Sequence, residues 1–241
     1  KLYTDVGIFF TDPDICADVA AMFNVITGCS KPPNWRKLAV APFDLRSRFQ
    51  NLIDREARLS TPHAPGRIVA KMNSLVDPEI IEHLFDAADA GVSITLIVRG
   101  ICCLRADQAK NVNIRVISIV DRYLEHTRVY YFGNGGNPEY YLASADWMSR
   151  NLDRRIETLF PVQDAETRAV IDKLLDLQLA DEAKGRELTK TGKYTRCFHR
   201  SYQTRSQRQT YELFEARRRD AESRKYTQKL QVFRAPDNAS S

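Results

Sequence analysis

Between residues 123 and 160 the chain gathers the side-chain types that phosphate chemistry needs. His126 stands two residues before Arg128, an apolar strand runs into GNGGNP, and a second strand returns to Ser144, Asp146 and Asn151. Arg150, Arg154 and Arg155 follow closely. An imidazole gains or loses a proton near neutral pH, and a guanidinium stays charged while forking onto two oxygens of one phosphate. Arg99 ends the apolar run VSITLIVRG, where side chains of an open α/β sheet reach the crevice beyond its carboxyl edge. Plainer roles stay open for each at this level. A histidine before a strand is commonly a capping or surface residue, Arg99 can pair with a carboxylate, and Arg150, Asn151 and Asp153 can simply cap a turn.

Holding these groups together requires a sheet, and the periodicity supplies one. Residues 2–10 (LYTDVGIFF) alternate like a strand, and the helix over DPDICADVAAMFNVITG begins at Asp12 or Asp14 and stops at Gly28. CSKPPNW, with two prolines, marks a domain boundary near residues 30–37. KLAVAP then reads as a strand. DLRSRFQNLIDREARL reads as a helix with Leu45, Phe49, Leu52, Ile53 and Leu59 on one stripe and charges opposite. GRIVAKMNSL, DPEIIEHLFDAADAG and VSITLIVRG form one βαβ unit. Its helix has Asp77 as N-cap, Pro78 at the first position and Gly91 past the end, and its second strand is buried on both faces. Strands over residues 113–120, 127–132, 139–143 and 155–162, the middle two joined as a hairpin, imply a mixed sheet. An amphipathic helix over residues 164–183, along Val170, Ile171, Leu174, Leu175 and Leu177, closes it.

The bulk numbers are those of a globular chain. With 241 residues and 43% hydrophobic composition there is enough apolar surface for a real core, in one large domain or two ordinary ones. No run has the eighteen or so apolar residues of a membrane span, and Lys1 opens into a strand pattern rather than a signal peptide, as in a chain cut from a longer one. Five cysteines with no Cys-x-x-Cys pair fit reduced thiols in the cytoplasm. The net charge of +5 is unevenly spread: residues 184–234 carry 15 Lys/Arg against 5 Asp/Glu, whereas residues 1–183 carry 21 against 25. The basicity belongs to the tail. There, GKYTRCFHRSYQTRSQRQ and a helix around TYELFEARRRDAESRKYTQKL read either as a binder of a polyanion or RNA, or as a solvated basic helix with a partly ordered terminus ending in PDNASS.

The strings LYTD, KMNSLVDPEII, LIVRGICCL, NIRVISIVDRYLEH, FGNGG and SADWMSRNLDRRIE occur in this order over roughly residues 1–180. Together they resemble the C-terminal region of bacterial polyphosphate kinase, the type with a phospholipase D-like core. The resemblance implies an α/β fold, a phospholipase D-like mixed sheet flanked by helices. Residues 1–33 would be the end of a first such domain, 34–183 a complete second one and 184–241 a basic tail. It also implies reversible transfer of the terminal phosphoryl group of ATP to polyphosphate through a phosphohistidine. ATP/ADP and inorganic polyphosphate are the implied partners, not nucleic acid. Mg2+, bound mainly with ATP or by residues upstream of this chain, is the implied cofactor. The full-length protein would be a cytoplasmic homo-oligomer, with peripheral association at the inner membrane left open. The family's phosphorylated histidine lies in a His-x-Lys motif upstream of LYTD, so this chain alone is expected to be incomplete and inactive.

Residue by residue, the resemblance makes His126 the second-domain histidine, in a His-x-Arg variant, as proton donor to the leaving oxygen or contact of the γ-phosphate. Tyr3 and Arg99 match nucleotide ligands alongside it. Arg155 matches a polyphosphate-channel arginine, and Arg128 takes the place of the motif's lysine, for the same ligand. Ser144 and Asp146 fall on the Gly-Ser-x-Asn part of phospholipase D-like motifs, with Ala143 for Gly and Asp146 for Asn. An ionised Asp146 would repel phosphate, so it is expected to orient His126 or an arginine. Two other functions suit the same residues: a phospholipase D-like phosphodiesterase and a non-catalytic polyanion-binding fragment.

Overall fold

The computed structural model describes residues 2–105, 113–197 and 204–227. Of the expected strand over residues 2–10, only β1 (Tyr3–Thr4) forms, because its parallel partner β6 (Leu124–Glu125) is itself two residues long. Asp12 then starts α1 (Pro13–Ile26), its carboxylate accepting the N–H groups of Asp14 and Ile15 at 3.0 Å each. The proline-rich stretch after it is fastened rather than loose. Buried Asp18 accepts the backbone N–H groups of Arg36, Lys37 and Leu38, seating α1 against β2 (Ala39–Ala41).

The next elements follow the expected pattern. α2 (Leu45–Leu59) buries Leu45, Phe49, Leu52 and Ile53, but Leu59 is exposed. The stripe continues instead to Glu56, which is wholly buried. Its carboxylate accepts Asn134 N–H at 2.7 Å and Arg67 N–H at 3.3 Å. β3 (Arg67–Met72), α3 (Pro78–Asp89) and β4 (Ser93–Val98) make the parallel βαβ unit, and β5 (Ile114–Ile119) adds a third parallel strand. β7 (Val129–Phe132) and β8 (Glu139–Ala143) form the hairpin; its turn needs left-handed backbone at Asn134, Gly135 and Gly136, which suits Asn and Gly. The short helix α4 (Ser149–Arg154) leads into β9 (Glu157–Val162), and α5 (Ala165–Leu179) ends before residue 183.

The start of the basic tail differs from expectation. Residues 185–196 contain two strands that were not expected: β10 (Gly185–Leu188) pairs antiparallel with β5, and β11 (Tyr194–Arg196) pairs antiparallel with β10 at the edge. GREL and YTR lack an apolar face because the outermost edge of a sheet buries little, and charge there discourages further pairing. α6 (Ser206–Thr227) follows. The expected tail segments at residues 198–203 and 228–241, including PDNASS, lie outside the described residues.

Among the described residues the resulting mixed sheet has nine strands in the order β11-β10-β5-β4-β3-β7-β8-β9-β2. α2 and α3 pack on one face, around Phe49, Tyr130 and Trp147, and α5 covers the other through Ile171 and Leu175. Among the described residues no helix is long and apolar enough to cross a membrane, and all five cysteines are free thiols.

One ion pair ties three helices to the sheet edge. Arg46 on α2 forks onto both Asp77 oxygens at 2.8 Å and also onto Asp153 in α4, while Ser149 Oγ donates to Asp77 at 2.7 Å. Burial would raise the Asp77 carboxyl, but Arg46, Ser149 and the Ile80 N–H outweigh it and hold it below the ordinary carboxylate value. A lowered folded-state value means stability present above the unfolded value and lost as pH falls through the folded one. Arg46→Ala should therefore cost about 3 kcal/mol near neutral pH by urea denaturation, because it strands a carboxylate only 1% exposed. The deficit should narrow in acid, where wild-type Asp77 is itself protonated.

Candidate phosphate site

The parallel strands β3 and β4 end side by side, so Asn73 and Arg99 emerge together. β7 runs antiparallel to β3, which brings its start, residues 126–128, to the same end. β8 ends there with residues 144–146, and β9 begins there just after Arg155. One sheet edge thus collects residues far apart in sequence.

Asp146, 6% exposed, is the hub. Its Oδ1 accepts the backbone N–H of Asn73 at 2.8 Å and Nε of Arg128 at 3.0 Å, and its Oδ2 accepts Arg128 Nη2 at 3.2 Å. Arg128 Nη1 turns back to the carbonyl of His126 at 3.1 Å. Burial acts against the Arg128 cation, yet the hydrogen bonds and charge of Asp146 prevail and raise its pKa above the ordinary arginine value. Arg128, expected as a polyphosphate ligand, is therefore first of all the partner of Asp146. Three of its five N–H donors are used, leaving one on each Nη.

His126 is fixed from the other side. Its backbone N–H donates to Thr4 at 3.0 Å, and its ring stacks on Tyr3 with centroids 5.2 Å apart and planes 20° apart. Tyr3 is 72% exposed, so its outer face is open. Buried Nε2 of His126 has no hydrogen-bond partner among the described residues.

Arg99 meets no carboxylate among the described residues. It donates from Nε and Nη2 to the side-chain oxygen of Asn73, at 3.1 and 2.7 Å. The following residue must be glycine: Gly100 N–H reaches Asn73 O at 2.7 Å, and a Cβ there would lie 2.8 Å from the same oxygen. Asn73 is the residue that sequence reasoning missed. It stands in KMNSLVDPEII at the end of β3, the strand-end position that singled out Arg99, and that equivalence was the available signal.

Ser144 lies beside the hub rather than in it. Its N–H donates to Thr158 O, and its Oγ accepts Thr158 N–H, both at 3.0 Å, so it extends the β8–β9 pairing. Asn151 supports Asp146 directly: Oδ1 accepts the Asp146 N–H at 3.3 Å, while Nδ2 donates to Glu157 at 3.0 Å. Arg155 makes a loose 3.8 Å contact with Glu157, and its side chain is 50% exposed. Arg150 and Arg154 are exposed on α4.

Next to the Tyr3–His126 stack lies a cavity of about 430 Å³, walled by Tyr3, Tyr123, Tyr211 and Phe214 with Gln178. It also touches the buried Lys71–Glu125 pair, whose Nζ and Oε2 are 2.8 Å apart. No group of three or more His, Cys, Asp or Glu side chains among the described residues could hold a metal ion.

The model of the family described as polyphosphate kinase C-terminal domain 2 matches residues 38–209, most of the chain. The chain belongs to the polyphosphate kinase family. It is 48% identical over 196 residues to the polyphosphate kinase of Bacillus anthracis, covering 80% of this chain and 28% of that one. For the polyphosphate kinase of Synechocystis sp. the identity is 49% over 196 residues, covering 80% and 27%. The crystal structure of polyphosphate kinase from Porphyromonas gingivalis superposes with a TM-score of 0.81 at 38% identity, over 87% of this chain and 32% of that one. The chain thus spans less than a third of the length of the curated relatives it matches.

The site's cations divide into committed and available ones, and stability measurements separate them. Arg128→Ala should cost about 3 kcal/mol in chemical denaturation, because it leaves buried Asp146 without its counter-charge. Arg155→Ala, removing an exposed side chain with one long contact, should stay within about 0.5 kcal/mol of the parent.

Proposed function

We propose that this chain supplies one half of the active site of a polyphosphate kinase, which moves the terminal phosphoryl group of ATP onto inorganic polyphosphate and back. The observation that carries this reading is the continuous chain of contacts Tyr3–His126–Arg128–Asp146–Asn73–Arg99 at one sheet edge. It joins a flat aromatic face, an imidazole and two guanidiniums, the groups that a nucleotide triphosphate requires. Phosphoryl transfer needs little from a protein beyond positioning and positive charge around the moving group.

In this reading the nucleotide base lies against the outer face of Tyr3, and Arg99 forks onto the triphosphate. His126 Nε2, buried and without a hydrogen-bond partner among the described residues, meets the oxygen between the β- and γ-phosphates. There it steadies the charge that collects as the bond to phosphorus breaks, or donates a proton to it. The covalent acceptor is a histidine in the part of the protein that precedes Lys1. Its nitrogen forms the P–N bond as ADP leaves, and the terminal oxygen of polyphosphate then displaces it. Arg155 and the remaining N–H groups of Arg128 balance the charge of the polyphosphate chain. In this reading Mg2+ would come with the nucleotide phosphates or be held by residues upstream of this chain.

Incubated with labelled ATP, the isolated chain should form no acid-labile phosphoprotein, while the full-length enzyme containing it should. A phosphorylated isolated chain would place the acceptor within these residues and overturn the division of labour. In the full-length enzyme, Arg99→Ala should weaken ATP binding by about 1.5 to 3 kcal/mol, the range for a hydrogen bond to a charged group; unchanged affinity would remove Arg99 from the triphosphate.

A further inference from the structure

Asn73 is 8% exposed, and its Nδ2 is buried with no hydrogen-bond partner among the described residues. The orientation of the amide is not arbitrary. Arg99 directs two N–H donors at one atom of it, at 3.1 and 2.7 Å, so that atom is the oxygen and the other is the NH2 group. A buried amide donor without an acceptor is costly, and where one persists in a polar site a ligand is the natural partner.

Oxygen and nitrogen share one carbon, so an acceptor for Nδ2 sits beside the Arg99 guanidinium. The backbone N–H of Asn73 also lies on the Asp146 oxygen that holds Arg128. An atom reached by Nδ2 is thus close to one arginine and near the Arg128–Asp146 ion pair, whose carboxylate is already neutralised. Those surroundings select an oxygen that accepts and carries negative charge, which is the chemistry of a phosphate.

We propose that Asn73 is itself a phosphate ligand, its Nδ2–H donating to a non-bridging oxygen of the same phosphate chain that Arg99 binds. This rests on the reading of the site as a phosphoryl-transfer centre and adds a residue to it. Asn73 then does two things at once. Its oxygen aims Arg99 without cancelling the positive charge, which a carboxylate in the same place would do, and its nitrogen shares the ligand that Arg99 holds.

The test uses this chain with tripolyphosphate as the probe. In 15N-labelled protein, the Asn73 side-chain NH2 pair, assigned by its disappearance in Asn73→Asp, should shift during titration and saturate with the same Kd as the overall binding. Asn73→Asp keeps an oxygen for Arg99 but replaces the donor by a charged acceptor, and should weaken tripolyphosphate binding about tenfold or more. A thermal melt checks that this variant is folded; Asn73→Ala, which removes the oxygen and the donor together and adds no charge, should also bind more weakly and serves if it is not. Unmoved NH2 resonances, with Asn73→Asp binding as tightly as the parent, would make Asn73 a positioning residue for Arg99 alone and overturn the proposal. If the parent chain bound tripolyphosphate no better than Arg99→Ala, the phosphate reading of the whole site would fail, and this inference with it.

Discussion

The pairing of Arg128 with Asp146 is the constraint on which the site depends. An ion pair this buried gains little by itself, because desolvating both groups offsets most of their attraction; it persists when the remaining donors and acceptors are also satisfied. Here Asn73 N–H fills the second site on Oδ1, the His126 carbonyl takes another guanidinium N–H, and Asn151 fixes the Asp146 backbone. Remove the pair and the ends of β3, β7 and β8 lose their common anchor. Two of the three departures from the expected motif, Arg for Lys at 128 and Asp for Asn at 146, face each other. A forked cation stands where that motif would put a point charge, and a forked anion where it would put an amide.

That arrangement grades the site's positive charge. Arg128 is largely neutralised by its partner and serves as framework. Arg99 is held by a neutral amide, so its orientation is fixed with no carboxylate against it among the described residues. Arg155, half exposed against Glu157, keeps both charge and freedom. Under the proposed function, fixed charge at the sheet end and freer charge further out would suit a long polyanion that is gripped at its end and still slides.

Local patterns in the sequence captured the elements whose form is decided locally. The Asp12 and Asp77 caps, the βαβ unit over residues 67–98 and the GNGGNP hairpin are all readable because turn chemistry and apolar spacing agree there. Residues 2–10 looked equally strand-like, but a strand exists only as far as its partner does, and Leu124–Glu125 is short. β10 and β11 escaped notice for the opposite reason: an outer edge buries too little to need an apolar pattern. Glu56, Asn73 and Asp18 were silent because each polar side chain serves backbone groups from distant segments, and sequence spacing does not encode those contacts. Asp146 was legible in part. Its likeness to a ligand-holding asparagine, together with its charge, pointed to a supporting role, and the register of β7 on β8 selected Arg128 over His126 as its partner.

His126 occupies the least secure position of the set, and the reason is physical. Its imidazole is oriented not by the nine-stranded sheet but by the stack on Tyr3 and the Thr4 hydrogen bond, both from a segment that contributes two residues to a two-residue pairing. Such a pairing buries little and opens far more easily than a central strand. Arg99, Arg128 and Asp146 are thus set by the body of the domain, whereas the imidazole is set by the chain leading into it. The geometry of the imidazole is coupled to whatever holds residues 2–6 in place, and the geometry of the three groups at the sheet end is not.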